Sequence, residues 1–531
     1  MIPMPVVEVA HAVSGRIAAA PDATAGTVVS AGTVITAGTA ATAGQDTTVA
    51  SQPGDSIVAV VTDSRQATPG SLFVAIPGER VDGHDFLDAA ARNGALAAIV
   101  DHEVPGAPLA QIIVADCVTA LGELARYNLE RRRALPGDFS IVAITGSVGK
   151  TTTKDLLHAL LGSLAPTIAP IGSFNNNIGL PITALQVGAD TRFLIAEMGA
   201  NHVGEIARLT TIAPPDVSVV LKVGTAHLGE FGSVERIAQA KSEIVRGLLP
   251  GGVTVLNADD SRVSAMSRLA PADVLWFGLG EEPHNVHPGM LSAVDIDVDE
   301  FDHPQFTLVR VGGDAEQPQS QQRAAVQLGL AGSHNVMNAL AAASVASYFG
   351  MSLADIARGL QDVSRISPHR MALSQVDDDD AAFTLIDDSF NANPDSMKAG
   401  IEGLRSWKRD EPEIYRVAVL GAMLELGDNE TALHESIGAY AATHGVDAVV
   451  AVGGDTHLDA LAAALARGAS QPAAQPTGAR ISVDLVHDAE HARSVVKDLA
   501  RAHPGMVVLL KGSHVSGLSI LAEQWAPRAD A

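Results

Sequence analysis

The segment Thr145-Gly146-Ser147-Val148-Gly149-Lys150-Thr151-Thr152-Thr153 stands between the apolar run Ile141-Val142-Ala143-Ile144 and a stretch carrying Leu156, Leu157, Leu160, Leu161 and Leu164. An apolar run, a glycine-bearing turn and leucines at helical spacing predict strand, loop and helix in that order. Gly146 and Gly149 let the backbone fold tightly enough for successive N–H groups to point inward, and the N-terminus of the following helix adds positive potential for a phosphate. Lys150 is then placed to reach the β- and γ-phosphates and Thr151 to hold Mg²⁺. Gly146, Ser147, Val148, Gly149, Lys150, Thr151 and Thr152 are the expected nucleotide contacts. A full Walker spacing needs a further glycine where Ile144 stands, so this is the shorter G-x-x-G-K-T form. The competing account is an ordinary strand-to-helix turn with a chance lysine.

A chain of 531 residues exceeds what one core usually organises, and three domains are expected. The first covers residues 1–137 and ends at the charged, Pro/Gly-marked run Arg131-Arg132-Arg133-Ala134-Leu135-Pro136-Gly137. It begins with strands at 58–61 and 72–76 and a helix over about 85–93, and it carries a low-complexity insertion at about 22–48. That insertion repeats Ala-Gly-Thr at a six-residue period from Ala25, which suits an extended hairpin or a mobile insertion better than a solenoid. Residues 138–363 alternate short apolar strands with amphipathic helices, the pattern of a parallel sheet covered on both faces. Within them 279–325, rich in Glu, Gln, Asp and Pro, reads as an excursion from the core. Residues 364–531 repeat the alternation with strands at 384–386, 417–420, 449–452 and 506–510, as in a Rossmann-like domain. The fold class is therefore α/β in three domains, with the phosphate-loop parallel sheet in the centre. Four acidic residues at 377–380 read as a solvated loop.

A formal net charge of −26 argues against nucleic acid and anionic membrane surfaces, whose binding depends on clustered Lys and Arg. The single cysteine, Cys117, excludes an intramolecular disulfide and reads as a small buried apolar residue. Residues 1–20 lack the basic start and apolar core of a signal peptide, and no later run is long and charge-free enough to span a bilayer. A cytoplasmic monomer without stable membrane insertion is the expectation.

Ligands of open α/β sheets gather at the carboxyl ends of the strands. Glu197 follows the apolar run 193–196 and is placed to hold a phosphate-bound Mg²⁺. His227 lies beyond the strand ending near Val223, and Lys241 lies on a helix shortly after. Taken singly, a strand-end Glu also caps helices, a lone His is usually structural and a helical Lys is usually solvated.

The loop 145–153, Ser173-Phe174-Asn175-Asn176-Asn177-Ile178-Gly179-Leu180-Pro181, Glu197-Met198-Gly199-Ala200-Asn201-His202, Gly224-Thr225-Ala226-His227-Leu228-Gly229 and Gly332-Ser333-His334-Asn335-Val336-Met337-Asn338-Ala339 occur in an order that resembles the ATP-dependent Mur ligases of peptidoglycan synthesis. Asp387-Asp388-Ser389-Phe390-Asn391-Ala392-Asn393-Pro394-Asp395-Ser396 and Met423-Leu424-Glu425-Leu426-Gly427 look like the branch that adds D-alanyl-D-alanine to a UDP-N-acetylmuramoyl-tripeptide. Thr62-Asp63-Ser64-Arg65 and Asp82-Gly83-His84-Asp85-Phe86 resemble the nucleotide-sugar domain shared with the preceding ligase. That ligase's Asp-Asn-Pro-Arg segment is missing.

By position the resemblance implies Lys150 and Thr151 at the triphosphate of ATP, Glu197 at a first Mg²⁺ and His227 at a second. It implies a carbamylated Lys241, whose added carboxylate binds a hard metal. Lys150, Lys241 and His227 are its catalytic set. Asn338 would approach the adenine, Arg370 and Asp388 the phosphate and ribose, and Ser64 and Arg65 the uridine diphosphate end of the acceptor. Asn176 falls in the acceptor-facing loop. The reaction implied is amide ligation through an acyl phosphate. A Mur ligase adding another amino acid, and a phosphate-loop ATPase or switch without ligase activity, stay open. Two positions depart from the pattern: Ala422 where Asp is usual and His514 where Arg is common.

Overall fold

A computed structural model of the chain describes residues 1–18, 27–30, 33–36, 56–78, 81–225, 228–280, 286–311, 323–363, 367–378, 381–411, 413–471 and 481–525. Contacts divide the chain into two compact units, one of residues 1–143, 164–198 and 207–216, the other of residues 144–163, 199–206 and 217–531.

The first unit is built on a five-stranded sheet in the order Arg16–Ala18, Ala110–Ile113, Ala95–Val100, Ser71–Val74, Ala59–Val61. All neighbours are parallel except Arg16–Ala18, which runs antiparallel at the edge. Ser71–Val74 is buried at every residue, as a parallel strand covered on both faces requires. The long helix Cys117–Ala134 starts where the Asp116 carboxylate caps the Thr119 amide and stays buried along Leu121, Leu124 and Leu129. Its Asn128 is fully buried and satisfied, giving Nδ2 to the carbonyls of Ala184 and Val187 and accepting the Ile2 amide. The arginines at 131–133 belong to the last turn of this helix. They close this helix, with Arg132 buried and donating to the Thr191 and Asp138 carbonyls and Arg133 paired to Asp216 at 2.8 Å. In the low-complexity segment Thr27–Ser30 pairs antiparallel with Thr33–Thr36, and the rest of 22–48 lies outside the described residues.

In the second unit Val217–Val220, Val253–Asn257 and Val274–Phe277 are parallel neighbours. Residues 291–310 and 323–327 extend this sheet instead of leaving it. Leu291–Val298 joins Val274–Phe277, then Pro304–Arg310 and Arg323–Gln327 follow antiparallel. Leu291, Ala293, Phe306, Leu308 and Val326 are buried along it. The six-stranded sheet of the C-terminal part runs Ala372–Asp378, Ala381–Asp388, Val507–Lys511, Arg416–Leu420, Ala448–Val452, Ser482–Val486, parallel apart from its first pair. Alternate residues serve opposite layers. Ala418 and Leu420 pack with Met397, Ile401, Ile437 and Leu465 of three helices, whereas Val417 and Val419 pack with Val496 and Leu521 of two others. The carboxylate of Asp378 does not sit in a solvated loop. It ends the strand Ala372–Asp378 and takes hydrogen bonds from Arg493 (2.9 and 3.0 Å), Lys497 and the Trp525 indole, and the Arg493 bonds chiefly hold its carboxyl down at about 2.

Candidate active site

The strand Ser140–Thr145 runs into the loop, and the helix Lys150–Gly162 begins directly after Gly149. Gly149 has φ +85°, a left-handed conformation that opposes any side chain, and a Cβ there would also collide with Asn338 Oδ1. The loop is held from beneath by the segment after Val217–Val220. The Ser147 amide donates to the Lys222 carbonyl (2.8 Å), and Ser147 Oγ accepts the Gly224 amide (2.9 Å). Lys150 Nζ donates to the Gly146 carbonyl (2.8 Å), so its ammonium lies at the loop. Thr151, Thr152 and Thr153 are buried in the first turn.

A second helix start meets this one. Asn338, near the beginning of Asn335–Tyr348, accepts Thr153 Oγ1 at 3.4 Å and gives Nδ2 to Asn335 Oδ1, while Asn335 Nδ2 donates to the Ala331 carbonyl. Arg370 comes from the entry to the C-terminal sheet. Its Nη2 donates to Thr151 Oγ1 (3.2 Å), and its guanidinium lies over the Phe390 ring at 4.9 Å. Asp388 ends the strand Ala381–Asp388 and accepts Lys511 Nζ at 2.6 Å. The structure thus brings Arg370 onto Thr151 and Asn338 onto Thr153, in the helix that Lys150 opens.

Lys241 lies on the helix Val234–Arg246 and is buried, 3 % exposed, with no hydrogen bond or ion pair among the described residues. Burial first, and then the charge of Lys150, push its ammonium well below the usual lysine range. His227 lies outside the described residues. In the first unit Glu197 ends the strand Phe193–Glu197, is buried, and accepts Asn175 Nδ2 at 2.8 Å. Asn176 uses its carboxamide locally, accepting the Ile178 and Gly179 amides at the start of Gly179–Ala184. Ser64 is buried, with its carbonyl accepting Asn93 Nδ2. The Arg65 side chain is exposed and forked onto Asp63. Cys117 is buried, and burial ahead of the charges of Asp101, Asp116 and Asp82 pushes its thiol up to about 12, which disfavours a thiolate near neutral pH.

Three family models match in succession: the Mur ligase family catalytic domain over residues 56–128, the Mur ligase middle domain over 144–346 and the Mur ligase glutamate ligase domain over 369–514. The UDP-N-acetylmuramoyl-tripeptide--D-alanyl-D-alanine ligase of Mycobacterium tuberculosis is 39% identical over 490 residues, which cover 87% of this chain and 90% of that protein. The chain belongs to the Mur ligase family. MurF from Acinetobacter baumannii superimposes with a TM-score of 0.76 at 30% identity, covering 99% of both chains. The MurF ligase of Thermotoga maritima, solved in complex with ADP, gives 0.68 at 29% identity and covers 88% of this chain and 97% of that one.

In this Mur ligase the candidate site residues are also held by residues that the sequence reading did not single out. Asn175 stands inside a quoted motif and Lys511 ends the strand Val507–Lys511, yet nothing in their spacing says that one holds Glu197 and the other Asp388. Asn335 is one helical turn from Asn338, and that i, i+3 spacing was a usable signal. No helix among the described residues is long and apolar enough to cross a membrane.

Proposed function

We propose that this Mur ligase joins D-alanyl-D-alanine to a UDP-N-acetylmuramoyl-tripeptide at the expense of ATP, in the cytoplasm and as a monomer. The observation that carries the reading is a phosphate loop gathered with Asn338 and Arg370 in a chain that matches tripeptide ligases along nearly its whole length. Residues 1–137 are assigned to the UDP-linked acceptor, 138–363 to ATP and 364–531 to closure and the amine. Ser64, Arg65 and Asn176 are the proposed acceptor contacts.

The tripeptide carboxylate attacks the γ-phosphorus as the bond to ADP breaks, and the dipeptide amine then displaces phosphate from the acyl phosphate to form the amide. The chain's contribution is positioning and electrostatics. The amides of residues 146–149 and the first turn through Thr152 hold the phosphates. Lys150 meets the charge of the transferring group, Asn338 faces the base, and Arg370 and Asp388 serve phosphate and ribose. Mg²⁺ would add charge neutralisation at the phosphate oxygens. The donors proposed for two such ions are Thr151, Glu197, His227 and a carbamate on Lys241, a set rich in the hard oxygens Mg²⁺ prefers. The surroundings of Lys241 support the carbamate. Burial, and then the charge of Lys150, lower the pKa of this amine and so raise the share of neutral nitrogen able to attack CO₂; loss of one proton then gives the carbamate, whose charge Lys150 and a bound cation would offset.

Phosphate release measured with UDP-muramoyl-tripeptide and a panel of amines tests this. Release that needs both the tripeptide and D-alanyl-D-alanine is expected. Equal release with free glutamate or a diamino acid identifies another Mur ligase, and nucleotide hydrolysis without any muramyl peptide identifies a switch.

A further inference from the structure

The segment 367–371, which leads into the C-terminal sheet, is held in a conformation that its residues disfavour. His369 and Met371, neither of them glycine, have φ +60° and +49°, with Arg370 between them. Such backbone persists only where the surroundings over-determine it. The surroundings here are the phosphate-loop helix. The Ser367 amide donates to Asp155 Oδ2 (2.9 Å), Lys154 Nζ donates to Ser367 Oγ (3.1 Å), and Lys154 and Asp155 pair at 2.6 Å. At the other side His369 Nδ1 lies 2.8 Å from Asp387 Oδ2. Thr151, Lys154 and Asp155 fall at i, i+3 and i+4 of one helix and so share a face. The same face therefore anchors Ser367 and receives the Arg370 guanidinium on the Thr151 hydroxyl. Lys154 is 1 % exposed, and a buried ammonium is costly unless paired, so an apolar residue would serve the fold at least as well.

We propose that Lys154 and Asp155 are positioning residues for Arg370: they clamp Ser367 and hold the strained turn that sets the guanidinium over the phosphate loop. The consequence is that the nucleotide site and the entry to the C-terminal sheet share one rigid connection. Only the turnover readout rests on the ligase reading; nucleotide affinity does not.

The test is a double-mutant cycle on the full chain with Asp155→Asn, Ser367→Ala and Arg370→Ala. ADP affinity is measured by calorimetry, and kcat and KM for ATP by phosphate release. Asp155→Asn and Arg370→Ala are each expected to weaken ADP by about five- to tenfold. Joined to Arg370→Ala, Asp155→Asn should add less than about twofold, since its effect passes through the arginine. Ser367→Ala removes only a hydroxyl, leaves the unfolding temperature near that of the parent, and should lose its effect in the same background. Losses that multiply in the doubles, or unchanged ADP affinity in Asp155→Asn, overturn the proposal. A wild-type chain that binds ADP but releases no phosphate with the tripeptide and D-alanyl-D-alanine overturns the ligase reading and leaves the ADP cycle decisive here.

Discussion

Lys241 shows how far a single residue's meaning depends on what surrounds it. On the sequence it is one lysine of an amphipathic helix; in the fold it is enclosed, has no ion pair among the described residues and feels the charge of Lys150. Lys241→Ala is expected to be nearly inactive and to recover in part with formate or acetate, small anions able to occupy a carbamate's position, while Lys150→Ala gains nothing from them. Turnover near the parent's without added anion would instead make Lys241 an ordinary buried side chain. Asp302 makes the opposite case, a charged residue placed where charge is unwelcome. It is 3 % exposed, and burial, followed by the neighbouring Asp299 and Glu402 carboxylates, raises its carboxyl to about 7 despite a hydrogen bond with Ser406. The unfolded carboxyl ionises near 3.8, so between that pH and about 7 the folded state progressively loses stability relative to the unfolded one. At about 1.4 kcal/mol per pH unit the ceiling is about 4 kcal/mol. Asp302→Asn, an acceptable residue at φ +61°, should match the parent in denaturant titrations near pH 4 and exceed it by a few kcal/mol at pH 8. An equal difference at both pH values would remove the titration as its cause.

At the scale of elements, the strand, loop and helix around Lys150 were legible because every part had local signals: an apolar run, glycines at the turn, leucines at helical spacing. The demand on Gly149 was only half legible, since the left-handed φ follows from the turn but the close approach of Asn338 comes from a helix almost two hundred residues later. Gly149→Ala should therefore weaken ADP at least about tenfold by calorimetry. It should also lower stability by about 1–2 kcal/mol for the backbone alone. Unaltered ADP affinity would show that the loop tolerates a side chain there. Residues 291–310 were misread for a physical reason. Leu291, Ala293, Phe306 and Leu308 alternate as strand residues should, but Asp295, Asp297 and Asp299 crowd the same stretch, and a register shift between Val294 and Asp297 breaks the period. Asp378 was misread because its partners, Arg493, Lys497 and Trp525, stand more than a hundred residues away.

Across the second unit, the short helix Leu228–Phe231 and the loop after Arg416–Leu420 meet backbone to backbone. The Gly229 amide donates to the Glu425 carbonyl (3.1 Å), and a Cβ on Gly427, whose φ is +69°, would stand 2.8 Å from Gly229 Cα. Gly427→Ala should hold the two segments apart. The expected result is a kcat reduced by about tenfold or more with ADP affinity nearly unchanged, because Lys150 and Thr151, the proposed nucleotide contacts, lie elsewhere. A loss in ADP affinity alone would contradict a role in bringing the two segments together. Local chemistry was enough to read the α/β alternation, the phosphate loop and the placing of Glu197 at a strand end, because backbone propensity, turn residues and side-chain period act over a few residues. The family followed from the order of those short motifs. What only the folded chain decided is which distant groups meet: Asn175 on Glu197, Lys511 on Asp388, Lys154 and Asp155 on Ser367, and Arg370 on Thr151. Burial likewise moved the pKa of Lys241 down and that of Asp302 up, since desolvation belongs to the assembled core and not to any stretch of sequence.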